Sequence, residues 1–263
     1  MKQIPLLANG FMHAFYDGEW RGDLEPAIDS LSVAQAYAVQ DCVAELRTQR
    51  GEKIVGYKVG CTSRAIRTQF GISDPISGRL FEPHIHANNA EINCADYVDC
   101  AIEPEMVLAI GEDLVGIDLP DERLIEAIAW VSPGIELHNY HFWFEPPSLQ
   151  ELICSGGIHA GLVMGDARIS ARQLSFETER FCVYKDEHLV TEGRASEIMC
   201  GPLHSLRWLT NSLTRRGLPL KEGSLVIPGS PVELVRIERD CELRIAIEGV
   251  GSALAHFVGS HNE

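Results

Sequence analysis

Three acids stand where their type and spacing could do chemistry. Glu103 and Glu105 lie in Cys100-Ala-Ile-Glu-Pro-Glu-Met-Val-Leu-Ala-Ile110, and Glu136 lies in Pro133-Gly-Ile-Glu-Leu137. Each interrupts an apolar run that otherwise reads as a buried strand. Alternation puts Glu103 and Glu105 on one face of such a strand, with Ile102, Pro104 and Met106 on the other. Two carboxylates a pleat apart repel, and burying them unpaired costs several kcal/mol. A divalent cation is the simplest neutraliser. All-oxygen ligation with room for water or substrate suits Mg²⁺ or Mn²⁺ better than zinc. The competing reading is a solvated Glu-x-Glu on an edge strand, which Pro104 would suit. Glu136 weighs against it, since it breaks a second apolar segment directly after a helix and a Pro-Gly turn.

The elements that must position these acids follow from periodicity and capping. Ser32 is an N-cap for a helix over about 33–48, with Val33, Ala36, Tyr37, Gln40, Val43 and Ala44 on one face. Residues 54–59 read as a short strand and 71–83 as turn-rich, while residues 1–30 show no regular element. Strands are expected near 80–83, 90–93, 101–110, 134–139, 160–165, 180–185, 188–193, 224–227, 232–237 and 242–258 with a break. Two helices interrupt them, Pro120–Val131 with proline in its first turn and Leu203–Arg216 closed by Gly217. Strands outnumber helices without regular βαβ alternation, so the expected class is α+β with a mixed sheet or roll.

A formal net charge of −16 argues against nucleic acid and anionic membranes as partners. It leaves a small anionic substrate open, because a bound cation and local basic groups can reverse the potential inside a cleft. No apolar stretch approaches membrane-spanning length. The eight cysteines are scattered with no Cys-x-x-Cys pair, and Met1–Gly10 lacks a signal-peptide pattern, so reduced thiols in the cytoplasm are expected.

Further segments fall into a recognisable order: Gly56-Tyr-Lys-Val-Gly-Cys-Thr-Ser63, Phe70-Gly-Ile-Ser-Asp-Pro-Ile-Ser-Gly-Arg-Leu80, Glu103-Pro-Glu105, Glu136, Gly201-Pro-Leu203, Pro228-Gly-Ser230 and Glu248-Gly-Val-Gly-Ser252. In order and spacing the chain resembles the hydratase/decarboxylase branch of the fumarylacetoacetate hydrolase superfamily over about residues 30–260. The resemblance implies a mixed β-sheet roll of that type. It implies a smaller helix-containing N-terminal part (1–75) before a catalytic domain (76–263). It also implies Mg²⁺ or Mn²⁺ held by Glu103, Glu105 and Glu136. Lys58, which alone would read as a solvated lysine, is implied to lie in the substrate pocket, with Ile76 and Ser230 as further substrate contacts. The implied substrates are 2-hydroxy-dienoates, equivalently 2-oxo-enoates, whose carboxylate and carbonyl oxygens chelate a cation.

The chain departs from the branch at three pocket positions. Ile76 stands where hydrating members carry an acid, His141 where an arginine is usual, and Gly156-Gly-Ile-His159 where Asn-Ala-Ser-Ser is expected. His159 or His141 could take over proton transfer, because histidine titrates in the useful range. His84-x-His86, or His138 with His141 on a turn, could also bind metal, but neither brings a third ligand. The leading expectation is a cytoplasmic lyase that hydrates a 2-keto-4-pentenoate-like compound in aromatic catabolism. The alternatives are a decarboxylase of a 4-oxalocrotonate-like diacid, an acylpyruvate C–C hydrolase, or an inactive assembly partner. A homo-oligomer, and a complex with a companion pathway enzyme, are further expectations.

Overall fold

The computed structural model describes residues 3–140 and 147–259. The largest unit is a mixed sheet built around the two acidic segments. Strand β5 (Cys100–Ile110) pairs antiparallel with β6 (Ile128–Asn139), with Glu103 directly opposite Glu136. On one side of this pair lie β10 (Leu225–Ile227), β1 (Ile54–Gly60) and β2 (Ile76–Phe81), and on the other β7 (His159–Met164) and β3 (Ile85–His86). The short strand β11 (Val235–Arg236) also pairs with β5. A second sheet has the order β4 (Ala90–Asn93), β13 (Gly251–Val258), β12 (Cys241–Ile247), β8 (Arg180–Lys185) and β9 (His188–Arg194).

Alternation along β5 divides the interior in two. Ile102, Met106 and Leu108 join Ile135 and Leu137 of β6, the apolar face of the second sheet (Phe181, Leu243, Ile245, Phe257) and helix α7 (Pro202–Arg215) in the main core. Glu103, Glu105 and Val107 point the other way. There the large sheet curls until β2 lies against β7. Leu80, Val107, Leu162 and Ile227 plug the floor of this curl. The fold is therefore α+β with a curled mixed sheet, as the order of segments predicts.

Helix α1 (Gln3–Asp17), α2 (Glu25–Asp29), α3 (Val33–Gln49) and α6 (Leu149–Cys154) share a separate core that also takes in Ile76. Helix α4 (Arg64–Phe70) follows β1, and α5 (Asp121–Ala127) precedes β6. Ser32 caps α3 as expected, its hydroxyl accepting from Gln35 N–H while the Gln35 side chain accepts from Ser32 N–H. Other expectations fail for identifiable reasons. The helix expected over Pro120–Val131 ends at Ala127, because Ile128–Val131 pair with β5 and extend β6 instead. The turn-rich reading of 71–83 misses β2, whose residues 76–81 pair with β1. Helix α1 was hidden by Pro5 and Gly10, although Leu7, Phe11 and Ala14 bury one face at helical spacing.

Gly78 ties the curl together. It pairs with Lys58 across β2 and β1, and a Cβ there would stand 2.2 Å from the carbonyl oxygen of Gly156. Gly156 and Gly157 form the turn between α6 and β7, both at positive φ (73° and 76°). Since the opposing atom is backbone, Gly78→Ala forces main chain to move. It is expected to lower unfolding free energy by about 1–3 kcal/mol or more, the cost of overpacking, as read by chemical denaturation.

Candidate active site

The inner face of the curl gathers six polar side chains from four strands. Lys58 comes from β1, Glu103 and Glu105 from β5, Glu136 and His138 from β6, and His159 from β7. Glu105 and Glu136 are fully buried, His138 is 1% exposed and Lys58 is 3% exposed. Lys58 is thus no surface lysine. Only Glu103 keeps a partly exposed side chain, at 22%, so the cluster opens to solvent on its side.

Glu136 is the hub. Lys58 Nζ lies 2.9 Å from its Oε1 and donates to the Gly157 carbonyl at 3.3 Å. His159 Nδ1 meets the same Oε1 at 2.8 Å. Glu136 Oε2 makes no hydrogen bond. His138 Nε2 comes within 3.5 Å of it and within 3.2 Å of Glu103 Oε2, in directions that make no hydrogen bond either. Glu105 accepts from Gly229 N–H through Oε2 at 3.0 Å, while its buried Oε1 is unpartnered.

Burial opposes every charge here, and the neighbours decide who keeps one. Burial raises the pKa of Glu136, but Lys58 and then His138 outweigh it and hold the carboxyl well below the usual range. The Lys58 ammonium, penalised by burial, is held above the ordinary lysine value by Glu136 and Glu103. Glu105 goes the other way: burial and the like charges of Glu136 and Glu103 push it well above the carboxylate range. His138 is raised, because Glu136 overcomes the burial penalty. His159 is lowered by burial despite its bond to Glu136.

Among the described residues, Glu103, Glu136 and His138 are the group whose ligand atoms lie close enough to hold one ion, all within 4.8 Å of one another. Buried, unpartnered oxygen and nitrogen atoms facing one another in an acidic cavity fit a divalent cation. Of the expected acids, Glu103 and Glu136 belong to this group; Glu105 does not, its Oε2 accepting from Gly229 N–H. His138 was weighed only with His141 on a turn. It lies on β6, which ends at Asn139 as expected and keeps His138 on the face of Glu136. Glu136-x-His138 repeats the Glu103-x-Glu105 alternation, and that was the available signal.

The other expected residues fall as follows. Ile76 is buried at the start of β2, and its Cγ1 would be 3.3 Å from a Cβ on Gly60. Ser230 is buried, and its hydroxyl closes a local turn with Val232. His141 lies outside the described residues. His84 approaches Glu52 at 3.8 Å and stands apart from the donor group.

No protein-family model matches the chain. It is 27% identical over 222 residues to a 2-keto-4-pentenoate hydratase of Paraburkholderia phymatum, covering 84% of this chain and 85% of the relative. It is 29% identical over 231 residues to a 4-oxalocrotonate decarboxylase of a Pseudomonas species, covering 85% and 86%. Among solved structures, the 4-oxalocrotonate decarboxylase from Pseudomonas putida G7, complexed with magnesium and adipate, aligns with a TM-score of 0.93 at 24% identity over 98% of each chain. A fumarylpyruvate hydrolase from Pseudomonas aeruginosa, in complex with Mn²⁺ and pyruvate, gives 0.59 at 18% identity over 77% of this chain and 88% of that one. The chain is therefore similar in sequence to proteins named as hydratases and a decarboxylase, and it shares the fold of these solved structures.

If a cation binds among these acids, it should stabilise the fold by linkage. At a concentration 100 times the dissociation constant the gain is about 2.7 kcal/mol, and the melting temperature of the chelator-treated protein should rise by about 5–10 °C. Glu103→Gln, at the most accessible of the acids, should erase most of that shift while leaving the metal-free melting temperature nearly unchanged.

Proposed function

We propose that the protein is a metal-dependent lyase acting on 2-hydroxy-dienoates or the equivalent 2-oxo-enoates, and that hydration is its reaction. A divalent cation held by Glu103, Glu105 and Glu136 would supply Lewis acidity toward the carboxylate and carbonyl oxygens of the substrate. The rest of the chemistry falls to the protein's own groups. Lys58, kept protonated by Glu136, is fixed as a donor to a substrate oxygen that gains negative charge. It also keeps Glu136 ionised.

One observation favours hydration over decarboxylation. His159, lowered in pKa by burial, is neutral near pH 7, and its Nδ1–H donates to Glu136. That fixes the tautomer and leaves the Nε2 lone pair without a partner. A cavity of about 30 Å³ lined by His159, Gln40, Arg47, Arg79 and Gly156 has room for a water. A neutral imidazole with a free ring nitrogen is suited to take a proton from water, which hydration needs and loss of CO₂ does not.

The second reading, decarboxylation of a 4-oxalocrotonate-like diacid, draws on the decarboxylase relative and on the apolar side chain of Ile76. Assembly into a homo-oligomer draws on exposed Val115, Ile117 and Leu218, and the companion-enzyme complex remains part of the proposal. A cytoplasmic location accords with eight unpaired cysteines.

The deciding experiment supplies 2-hydroxypenta-2,4-dienoate and 2-oxohex-3-enedioate separately with Mg²⁺ or Mn²⁺, following the conjugated chromophore and CO₂. Hydration of the dienoate without CO₂ from the diacid is expected, and the reverse pattern makes the protein a decarboxylase. Lys58→Met and His159→Asn should each lower kcat/KM by about two orders of magnitude or more, the scale of a proton-transfer group. Lys58→Met should also lose about 3–5 kcal/mol of stability, because it strips a buried carboxylate of its partner.

A further inference from the structure

Glu136 presents two oxygens in different situations. Oε1 is engaged by Lys58 and His159, at 2.9 and 2.8 Å. Oε2 is buried and free of hydrogen bonds. Two residues along β6, His138 brings Nε2 to 3.5 Å from that oxygen and to 3.2 Å from Glu103 Oε2. Nε2 is equally free of hydrogen bonds and sealed from solvent. Two donors on one ion at about 2.1 Å lie about 3.0 Å apart in an octahedral shell and about 3.4 Å apart in a tetrahedral one. The separations around His138 match the edge of a coordination shell.

Resting on the metal-site reading above, we infer that His138 Nε2 is itself a ligand, and that the site selects a first-row transition-metal dication such as Mn²⁺ over Mg²⁺. Carboxylates alone suit Mg²⁺, which is hard and prefers oxygen, whereas an imidazole donor shifts preference toward the transition metals. His159 is not an equivalent donor: its Nδ1 is committed to Glu136 Oε1 at 2.8 Å, and it is not among the residues whose ligand atoms lie within 4.8 Å of one another. The ring of His138 has no hydrogen bond on Nδ1, so burial in the sheet orients it rather than a polar partner. With Glu103, Glu136 and His138 around one ion, three positions of an octahedral shell remain, enough for a chelating 2-oxo acid and a water.

The test loads metal-stripped protein with Mn²⁺, records pulsed electron paramagnetic resonance for ¹⁴N modulation, and titrates Mn²⁺ and Mg²⁺ into wild type, His138→Val and His138→Gln. Wild type should show histidine nitrogen coupled to Mn²⁺, and both variants should lose it. The Mn²⁺ dissociation constant should rise about tenfold or more, with the Mg²⁺ constant moving much less. Mn²⁺ bound to wild type without nitrogen modulation would keep the metal site and remove His138 from it. Modulation surviving in the variants would assign the nitrogen elsewhere and overturn the inference too. If wild type bound neither ion, the metal-site reading itself would fall and this inference with it.

Discussion

The ion pair between Lys58 and Glu136 sits where four strands of the curl converge, and most of the site depends on it. Both partners are almost fully buried, where a lone charge would be driven to neutralise itself and where losing one partner costs about 3–5 kcal/mol. The pair fixes more than charge. Lys58 also donates to the carbonyl of Gly157, so β1, β6 and the turn before β7 meet at one ammonium group. By taking Glu136 Oε1, Lys58 and His159 leave Oε2 turned toward Glu103 and His138. A single carboxylate is thereby divided into one oxygen held by Lys58 and His159 and one left without a hydrogen bond.

The curl of the large sheet makes that division possible. On a flat sheet the polar face of β5 and β6 would be solvated, and Glu103 and Glu105 would be ordinary surface acids. Bringing β2 against β7 encloses that face, with Leu80, Val107, Leu162 and Ile227 as an apolar floor. The same side chains then sit in a low-dielectric cavity where their mutual charges count. The glycines at 78, 156 and 157 permit the closure: a Cβ on Gly78 would meet the Gly156 carbonyl oxygen at 2.2 Å, and Gly156 and Gly157 take the positive φ that the turn before β7 requires.

What the sequence disclosed, and what it hid, follows the same line. Alternation revealed the strand of Glu103 and Glu105, the anomaly of Glu136 and the cap at Ser32, all local features. Lys58 was invisible without the family resemblance, because nothing in its neighbours says that it will be enclosed. His138 was misjudged for a local reason: the strand expected over 134–139 already contained it and does end at Asn139, yet it was paired with His141 on a turn rather than with Glu136 at i, i+2. The boundary of α5 failed because Ile128–Val131 satisfy helix and strand patterns alike, and only pairing with β5 decides. Propensity yields to tertiary context at such places.

The electrostatics of the cluster point to one missing quantity. Three carboxylates face a single ammonium, so full ionisation would leave two negative charges buried without compensation. Glu105 and His138 both have pKa values pushed upward, by burial and like charges for Glu105 and by Glu136 against burial for His138. These are two symptoms of one deficit: protons are drawn in where positive charge is lacking. A dication would remove the deficit, letting Glu105 ionise and freeing His138 Nε2 to donate its lone pair. The site would then be electrically neutral before an anionic substrate arrives. Substrate charge would be met by the ion and Lys58 rather than repelled by the acids, which is how so acidic a chain can take an anion into a closed cavity.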